Sequence, residues 1–297
     1  MAQPANDFSA QLDKLWNFGN VDESQARFRA ELAKHPADSR EAIEIETQIA
    51  RTQGLSRKFA DADRTLDAIL PKVELPTTPV RVKVRYFLER GRTRNSSGDR
   101  DAAVALFREA LKLSERDSLP GADYYRVDAL HMLGIAASAD AQLDWNLKAL
   151  AAASASSDER ARGWAAPLHN NIGWTYFERG DHKTALAHWQ KALPLREASG
   201  NAMSIRIAKW TIARGLRATG QLDEAKKIQL ALVAETEAAG TPDGYTYEEL
   251  AEIAVAQGDK PAAKTWAAKA HALLKDDPDM EAARLTRLAA LAQGNTP

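Results

Sequence analysis

The sequence predicts an all-α fold in which antiparallel helix pairs stack one after another into a solenoid. Apolar residues recur three and four positions apart along the chain, the spacing that places them on one face of a helix. The segments with this spacing are roughly 12 to 16 residues long and end at Gly-Asp, Pro or Ser-rich turns. A small residue also returns in the same context at a nearly constant interval, which is the signature of a repeat architecture.

The repeat is clearest between residues 168 and 192, where Ile172-Gly173-x-x-Tyr176 precedes Ala185-x-x-x-Trp189-x-x-Ala192. The small residues stand where two helices must approach closely, and the large residues fill the space between them. The Gly173 position recurs at Ala50, Gly91, Gly134, Ala213 and Ala251, and the Ala185 position at Ala62, Ala103, Ala225 and Ala263. Successive copies are 41, 43, 39, 40 and 38 residues apart, so the period is close to 40.

Two copies depart from this pattern. Around Gly134 the turn Ser138-Ala-Asp140 is short, and the second half of the copy loses register by about four residues. An opening copy runs from Leu15 to Phe28 and is closed by His35-Pro36.

These positions resemble the signature of the tetratricopeptide repeat, with His169 where the signature has Trp and Trp189 where it has Phe. The commonest repeat of this family has about 34 residues. The longer period is similar to that of the kinesin light chain and of bacterial peptide-sensing regulators. Over nearly the whole chain, the resemblance implies a right-handed α-solenoid of about seven antiparallel helix pairs that binds partners.

We expect one continuous domain over residues 1–297, because stacked repeats bury a core through contacts between neighbours and need not split into globular domains. Three prolines in the stretch 71–79 predict a stiff connector between two pairs, which is a possible joint. Residues 279–293 predict a C-terminal capping helix, with Met280, Leu285, Leu288 and Leu291 on one side.

The balance of charges narrows the classes of function. Lys and Arg number 40, Asp and Glu number 41, and the formal net charge is -1, which argues against a dedicated nucleic-acid or membrane-surface protein. The absence of cysteine excludes disulfides and thiolate chemistry. The opening residues do not read as a secretory signal, and no apolar run is long enough to span a bilayer, so we expect a cytoplasmic location.

Motifs of catalysis and cofactor binding are not found in the sequence. It contains no Gly-rich phosphate loop, HExxH, GxSxG or EF-hand loop. None of the six histidines are spaced i, i+4 as two metal ligands on one helix face would be. The sequence therefore predicts a protein that is not an enzyme and that uses no metal or cofactor.

The resemblance implies that the first helix of each pair lines the concave groove. Residues spaced three, four and three apart share that face of the helix. The groove candidates, from the second pair to the sixth, are Arg51, Arg92, Asn95, His131, Asn170, Trp174, Trp210, Arg214 and Arg217. The last pair adds Tyr245, Glu248 and Glu252, so the predicted groove becomes acidic at that end.

This mixture of side chains suits a peptide or protein segment that carries acidic groups or a free carboxylate. Arginine forks match carboxylates with two hydrogen bonds, Asn170 can hold a peptide backbone, and Trp174 and Trp210 offer flat anchors. The alternative for each arginine is an ion pair within the protein. The alternative for each tryptophan is packing between neighbouring first helices, and for His131 it is a structural role.

The sequence is compatible with three functions. The first is a scaffold or adaptor that binds a protein segment in the groove. The second is a ligand-sensing regulator whose solenoid changes shape when a peptide or small molecule binds. The third is RNA or phosphate binding through residues 81–100. This stretch has seven Lys and Arg residues against Glu89 and Asp99, which gives a local net charge of +5. A solvated helix face would explain the same residues. The sequence leaves the partner and the oligomeric state open.

Overall fold

The computed structural model describes residues 8–115 and 121–295, and within these ranges every regular element is a helix. The helices are α1 (Phe8–Asp13), α2 (Val21–Leu32), α3 (Arg40–Leu55), α4 (Phe59–Val73), α5 (Val80–Ser96), α6 (Arg100–Ser114), α7 (Ala122–Ala136), α8 (Ala139–Ala155), α9 (Glu159–Arg162), α10 (Ala165–Glu178), α11 (His182–Ser199), α12 (Ala202–Ala218), α13 (Leu222–Ala238), α14 (Gly244–Ala256), α15 (Lys260–Leu274) and α16 (Ala282–Gln293).

Consecutive helices form the predicted pairs, and this confirms the fold class. The pairs are α3 with α4, α5 with α6, α7 with α8, α10 with α11, α12 with α13, and α14 with α15. The short α1 meets α2 through Leu12 and Phe28, which lie in one apolar cluster. The single turn α9 follows the fourth pair. The predicted cap is α16, whose Leu288 and Leu291 are buried against Leu250 and Leu274 of the last pair.

The helices form two compact units, here called unit 1 (Met1–Trp164) and unit 2 (Ala165–Pro297). The division does not fall in the proline-rich stretch 71–79. Pro71 lies inside α4, and residues 74–79 connect α4 to α5. One continuous domain over 1–297 therefore stays a prediction, as does a joint at 71–79.

The Gly-Asp turns end one helix and start the next. Gly180 has φ 80, a left-handed conformation that glycine adopts without a Cβ penalty. Asp181 then caps α11, because its Oδ1 accepts the backbone N–H of Thr184 at 3.1 Å. Gly258 and Asp259 repeat the arrangement before α15. Because the glycine and the aspartate of each turn act only on neighbouring residues, the positions of these turns can be predicted from the sequence.

The repeat signature corresponds to a small residue of the first helix packed on a large residue of the second. A Cβ added at Gly173 would lie 2.3 Å from the indole nitrogen of Trp189, and one at Gly91 would lie 2.4 Å from Phe107. Each partner is 16 residues further along the chain. A Cβ at Gly134 would instead meet Asn146, 12 residues on, at 2.6 Å. The predicted shift of about four residues in this copy is confirmed.

The opening copy has its first helix earlier than its sequence pattern suggested. Leu15 to Phe18 lie in the turn after α1, where the rings of Trp16 and Phe18 stack with centroids 4.8 Å apart. Leu12 takes the place of the small residue and is buried in one cluster with Phe28. No helix in the two described ranges is both long enough and apolar enough to cross a bilayer.

Candidate ligand-binding faces

The first helices of the pairs carry the predicted groove residues, and their exposed side is here called the first-helix face of each unit. In unit 1 it is formed by α3, α5 and α7, and in unit 2 by α10, α12 and α14. The structure brings Arg51, Arg92 and Asn95 together around a cavity of about 420 Å³ in unit 1. The Oδ1 atom of Asn95 is buried and receives no hydrogen bond from any described residue.

The two arginines of this cavity are held by carboxylates of the protein itself. Arg92 lies 2.8 Å from Glu89 and 2.5 Å from Asp128. Arg51 lies 3.5 Å from the same Glu89. Burial alone would lower the pKa of the Arg92 guanidinium, but Asp128 and Glu89 hold it above its ordinary value. These contacts correspond to the internal ion pair that the sequence left open as the alternative.

Helix α1 closes part of the same face. The carboxylate of Asp13 lies 3.0 Å from Arg85 and 3.2 Å from Arg160, and the hydroxyl of Ser9 lies 2.6 Å from that of Tyr125. Arg85 is only 5% exposed. The first-helix face of unit 1 is therefore occupied to a large extent by side chains of unit 1.

His131 lies on α7 and is buried rather than open to a groove. Its ring is 4.8 Å from that of Trp164, and it is 9% exposed. Burial lowers the pKa of His131 to about 4, so the imidazole is neutral at physiological pH. This position favours the structural alternative for His131.

The basic stretch 81–100 is an ion-pair network in the structure. Its arginines meet carboxylates from other helices, in the pairs Arg81–Glu44, Arg85–Glu44, Arg90–Asp67, Arg92–Asp128 and Arg94–Asp63. Lys83 and Arg100 donate to the backbone carbonyls of Leu75 and Ile135. The local charge of +5 is thus largely neutralised in space, which removes the basis for an RNA-binding or phosphate-binding patch.

In unit 2 three of the predicted residues form one cluster. The rings of Trp174 on α10 and Trp210 on α12 have centroids 6.1 Å apart. The guanidinium carbon of Arg214 lies 5.6 Å from the first ring and 5.4 Å from the second. Phe177, one turn after Trp174, adds a third ring at 5.5 Å. Cations at such distances from ring centroids are attracted by the aromatic faces.

Arg214 is the least well paired cation of this face. Its closest carboxylate is Glu249 at 3.7 Å, beyond hydrogen-bonding distance. Its Nε is buried and has no hydrogen-bond partner among residues 8–115 and 121–295. Burial lowers the pKa of the guanidinium, and Glu249 only partly opposes this effect. Arg217, by contrast, holds both oxygens of Glu249, at 2.5 and 3.2 Å.

The acidic end of the predicted groove is covered by the capping helix. Arg284 makes two hydrogen bonds to Glu248, at 2.9 and 2.5 Å, and Arg287 makes two to Glu252, at 2.5 and 2.9 Å. The glutamates that were predicted to make this end acidic are therefore neutralised, because α16 supplies arginines and does not only shield apolar surface. This end of the face now has one more arginine than glutamate, and the weakly paired Arg214 is the arginine left over. The residues are Arg214, Arg217, Arg284 and Arg287 and the glutamates Glu248, Glu249 and Glu252.

Asn170 lies one turn before Trp174 on α10. Its backbone carbonyl accepts a hydrogen bond from the indole N–H of Trp189 at 3.2 Å. Trp189 is fully buried, as its place on a second helix predicted. The bond fixes α10, and with it the position of Asn170 and Trp174, against α11.

A histidine pair was not predicted. His169 on α10 and His188 on α11 place their Nδ1 atoms 2.9 Å apart. Burial lowers the pKa of His169 to about 4, and the neighbouring His188 makes a smaller contribution in the same direction. The two residues are far apart in the sequence and on different helices, so no spacing rule within one helix could find them. Within the described residues, no three His, Asp or Glu side chains are placed to hold a metal ion together.

Comparisons with known proteins match the third and fifth helix pairs. Tetratricopeptide repeat models match residues 84–117, which include most of α5 and α6, and residues 170–199, which include α11 and most of α10. The chain contains tetratricopeptide repeats. The two matched segments hold the Gly91–Phe107 and Gly173–Trp189 contacts, so the signature and the close helix packing coincide.

Solved structures show a similar fold, two of them over nearly the whole chain. The apo form of RapI has a TM-score of 0.69 at 13% identity, covering 96% of this chain and 80% of that one. NprR in complex with its cognate peptide NprX has a TM-score of 0.56 at 17% identity, covering 98% and 85%. A putative kinesin light chain with nearly identical repeats, from Podosopora anserina, has a TM-score of 0.52 at 18% identity, covering 65% and 94%. These likenesses concern the fold, and no curated protein sequence matches the chain.

Proposed function

We propose that the protein binds a peptide or protein segment on the first-helix face of unit 2 and catalyses no reaction. The observation that carries the proposal is Arg214. Its guanidinium is partly buried on three aromatic rings, its Nε is without a partner among the described residues, and its nearest carboxylate is 3.7 Å away. A buried polar group without a hydrogen-bond partner is unfavourable, and a ligand that supplies one gains that free energy on binding.

A carboxylate is the ligand group that suits Arg214 best, since charge-assisted and forked hydrogen bonds to arginine are the strong ones. Trp174 and Trp210 flank it with flat apolar surface, the kind that anchors partner side chains at low entropic cost. A peptide supplies such a carboxylate through Asp, Glu or its C terminus. The fold is compatible with this role, because the similar NprR structure contains a bound cognate peptide.

A ligand-sensing regulator is the second candidate, and the ion pairs of the same face favour it. Arg217 and Glu249 link α12 to α14, and Arg284 and Glu248 link α14 to α16. A ligand carboxylate at Arg214 would compete with Glu249 and disturb this series of links. A sensor is expected to change its radius of gyration in solution scattering when peptide is added, whereas an adaptor keeps it constant.

Selection of short random peptides with free carboxyl termini on the immobilised protein tests the proposal. We expect the enriched peptides to bind the wild type and to lose at least about tenfold in affinity with Arg214→Ala, or roughly 1.4 kcal/mol. Arg64→Ala, which removes an exposed arginine from α4, is the matched control and should leave the affinity unchanged. Equal binding to wild type and to folded Arg214→Ala would contradict the proposal, and so would a selection that enriches no peptide.

A further inference from the structure

A second feature of unit 2 lies beside the Arg214 cluster. A cavity of about 810 Å³ opens between the N-terminal half of α12, the segment that precedes α14, and the end of α15. Its apolar lining includes Met203, Ile207, Trp210, Leu273 and Leu274. This volume lies within the usual range for ligand pockets, roughly 300 to 1,000 Å³.

The mouth of the cavity exposes an unusual amount of apolar surface. Met203 is 60% exposed, and Ile207 and Leu273 are each 44% exposed. These three residues come from two different helices and meet at one opening. Scattered exposed apolar residues are ordinary, whereas a contiguous patch beside a concave pocket marks a binding site.

The walls of the cavity are held in place before any ligand arrives. The indole N–H of Trp210 donates to the backbone carbonyl of Tyr245 at 3.1 Å, and the Tyr245 hydroxyl donates to Asp277 at 3.1 Å. Asp243 accepts from the backbone N–H of Tyr245 at 3.0 Å and from the Thr246 hydroxyl at 2.8 Å. A preformed pocket loses little conformational entropy when it is filled.

The rim of the cavity is negatively charged. Asp243 and Asp277 line it, and Arg206, its cation, is paired with Glu235 at 3.2 Å. The segment 275–281, which follows α15, carries Asp276, Asp277, Asp279 and Glu281 against Lys275. A cationic group beside an apolar one would therefore complement the opening in charge.

Trp210 is shared between this cavity and the Arg214 cluster. Ile207 and Arg214 lie seven residues apart on α12, about 10 Å at the rise of an α-helix. An extended peptide covers that distance in about three residues. A single ligand strand can therefore reach both places.

We propose that the cavity receives a large apolar side chain of the peptide, with a carboxylate about three residues away at Arg214 and a basic residue on the opposite side facing Asp243 and Asp277. This recognition pattern rests on the proposed function, and it adds the chemistry that distinguishes one peptide from another. Acidic peptides without the apolar residue bind weakly, and apolar peptides with an acidic flank are repelled at the rim.

The test repeats the peptide selection on Ile207→Asp, which places a carboxylate in the cavity mouth at an exposed position where folding tolerates it. Leu195→Asp on α11 is the matched control, since Leu195 is also exposed, at 42%. We expect peptides selected on the wild type to carry a large apolar residue, an acid about three residues away and a basic residue on the other side. Ile207→Asp should weaken them about tenfold and Leu195→Asp should not, with circular dichroism confirming folding.

The outcomes separate this inference from the proposed function. Peptides that depend on Arg214 but show no apolar preference, or that bind Ile207→Asp normally, overturn the cavity assignment and leave the Arg214 site standing. Peptides that depend on neither residue overturn both. If a small apolar dye fills the cavity and the selected peptides do not displace it, or if Ile207→Asp only abolishes self-association in sedimentation, the occupant is not a peptide and the inference fails.

Discussion

Arg92 in unit 1 and Arg214 in unit 2 occupy the same position of the repeat, immediately after the small residue of the first helix, and differ in what surrounds them. Arg92 meets two carboxylates at hydrogen-bonding distance, and its pKa is raised. Arg214 meets three aromatic rings and one distant carboxylate, and burial lowers its pKa. The same residue at the same repeat position is thus part of an internal ion pair in one unit and only weakly paired in the other.

The largest expected effect would come from removing the paired arginine. Arg92→Met leaves Glu89 and Asp128 without their main partner, and breaking a buried ion pair costs about 3 to 5 kcal/mol. Arg214→Met should cost less than about 1 kcal/mol, because it leaves no carboxylate unpaired while Arg217 still holds Glu249. Urea unfolding followed by circular dichroism measures both variants. Equal losses of stability would show that the two arginines do not differ as described.

The next effect concerns the packing that positions the aromatic cluster of unit 2. Gly173→Leu must displace Trp189, which a Cβ would already approach to 2.3 Å, and overpacking of this kind costs about 1 to 3 kcal/mol. Ala187→Leu on the exposed side of α11 is the control. If the thermal midpoint fell equally in both variants, the close approach at Gly173 would not be the cause.

A smaller effect is expected when the charge of Arg214 is kept and its forked geometry is lost. Arg214→Lys should bind the selected acidic peptides about threefold more weakly than the wild type, or roughly 0.6 kcal/mol. Fluorescence polarisation with labelled peptides resolves this difference. An affinity as low as that of Arg214→Ala would mean that two-bond geometry, and not charge, dominates recognition.

The last effect is a dependence of the free energy of unfolding on pH, to which one histidine of each unit contributes. Folding lowers the pKa values of His131 and His169 from 6.5 to about 4, through burial in each case. Between pH 4 and pH 6.5 the folded protein therefore binds fewer protons than the unfolded chain. The contribution of these histidines to the free energy of unfolding is complete above pH 6.5 and is lost as the pH falls toward 4.

His131→Phe keeps a ring against Trp164 and removes one of these titrating groups, which lies near Asp128 and Arg92. The urea midpoint of this variant should fall less than that of the wild type as the pH is lowered through the same window. A wild-type midpoint that stays constant down to about pH 5 would contradict the lowered pKa values.

Local and periodic features were the predictable part of this fold. Features that depend on nearby residues could be predicted from the sequence. They are the Gly-Asp turns, the Gly173–Trp189 and Gly91–Phe107 contacts and the capping helix α16. The candidate site was predicted in part. Trp174, Trp210 and Arg214 were predicted as groove residues from the repeat frame, and the structure brings these three side chains together.

The sequence by itself determined most of the helix pairs and their order, since the repeat period and the helical period specify these without reference to distant residues. Only the tertiary structure decided which of the predicted groove residues are already paired with other side chains of the protein. Asp13 reaches Arg85, Asp128 reaches Arg92 and Arg284 reaches Glu248 across gaps of 72, 36 and 36 positions. Electrostatic pairing depends on distance in space, and the packing of helices within each unit that brings these charges together is absent from any local pattern of residues.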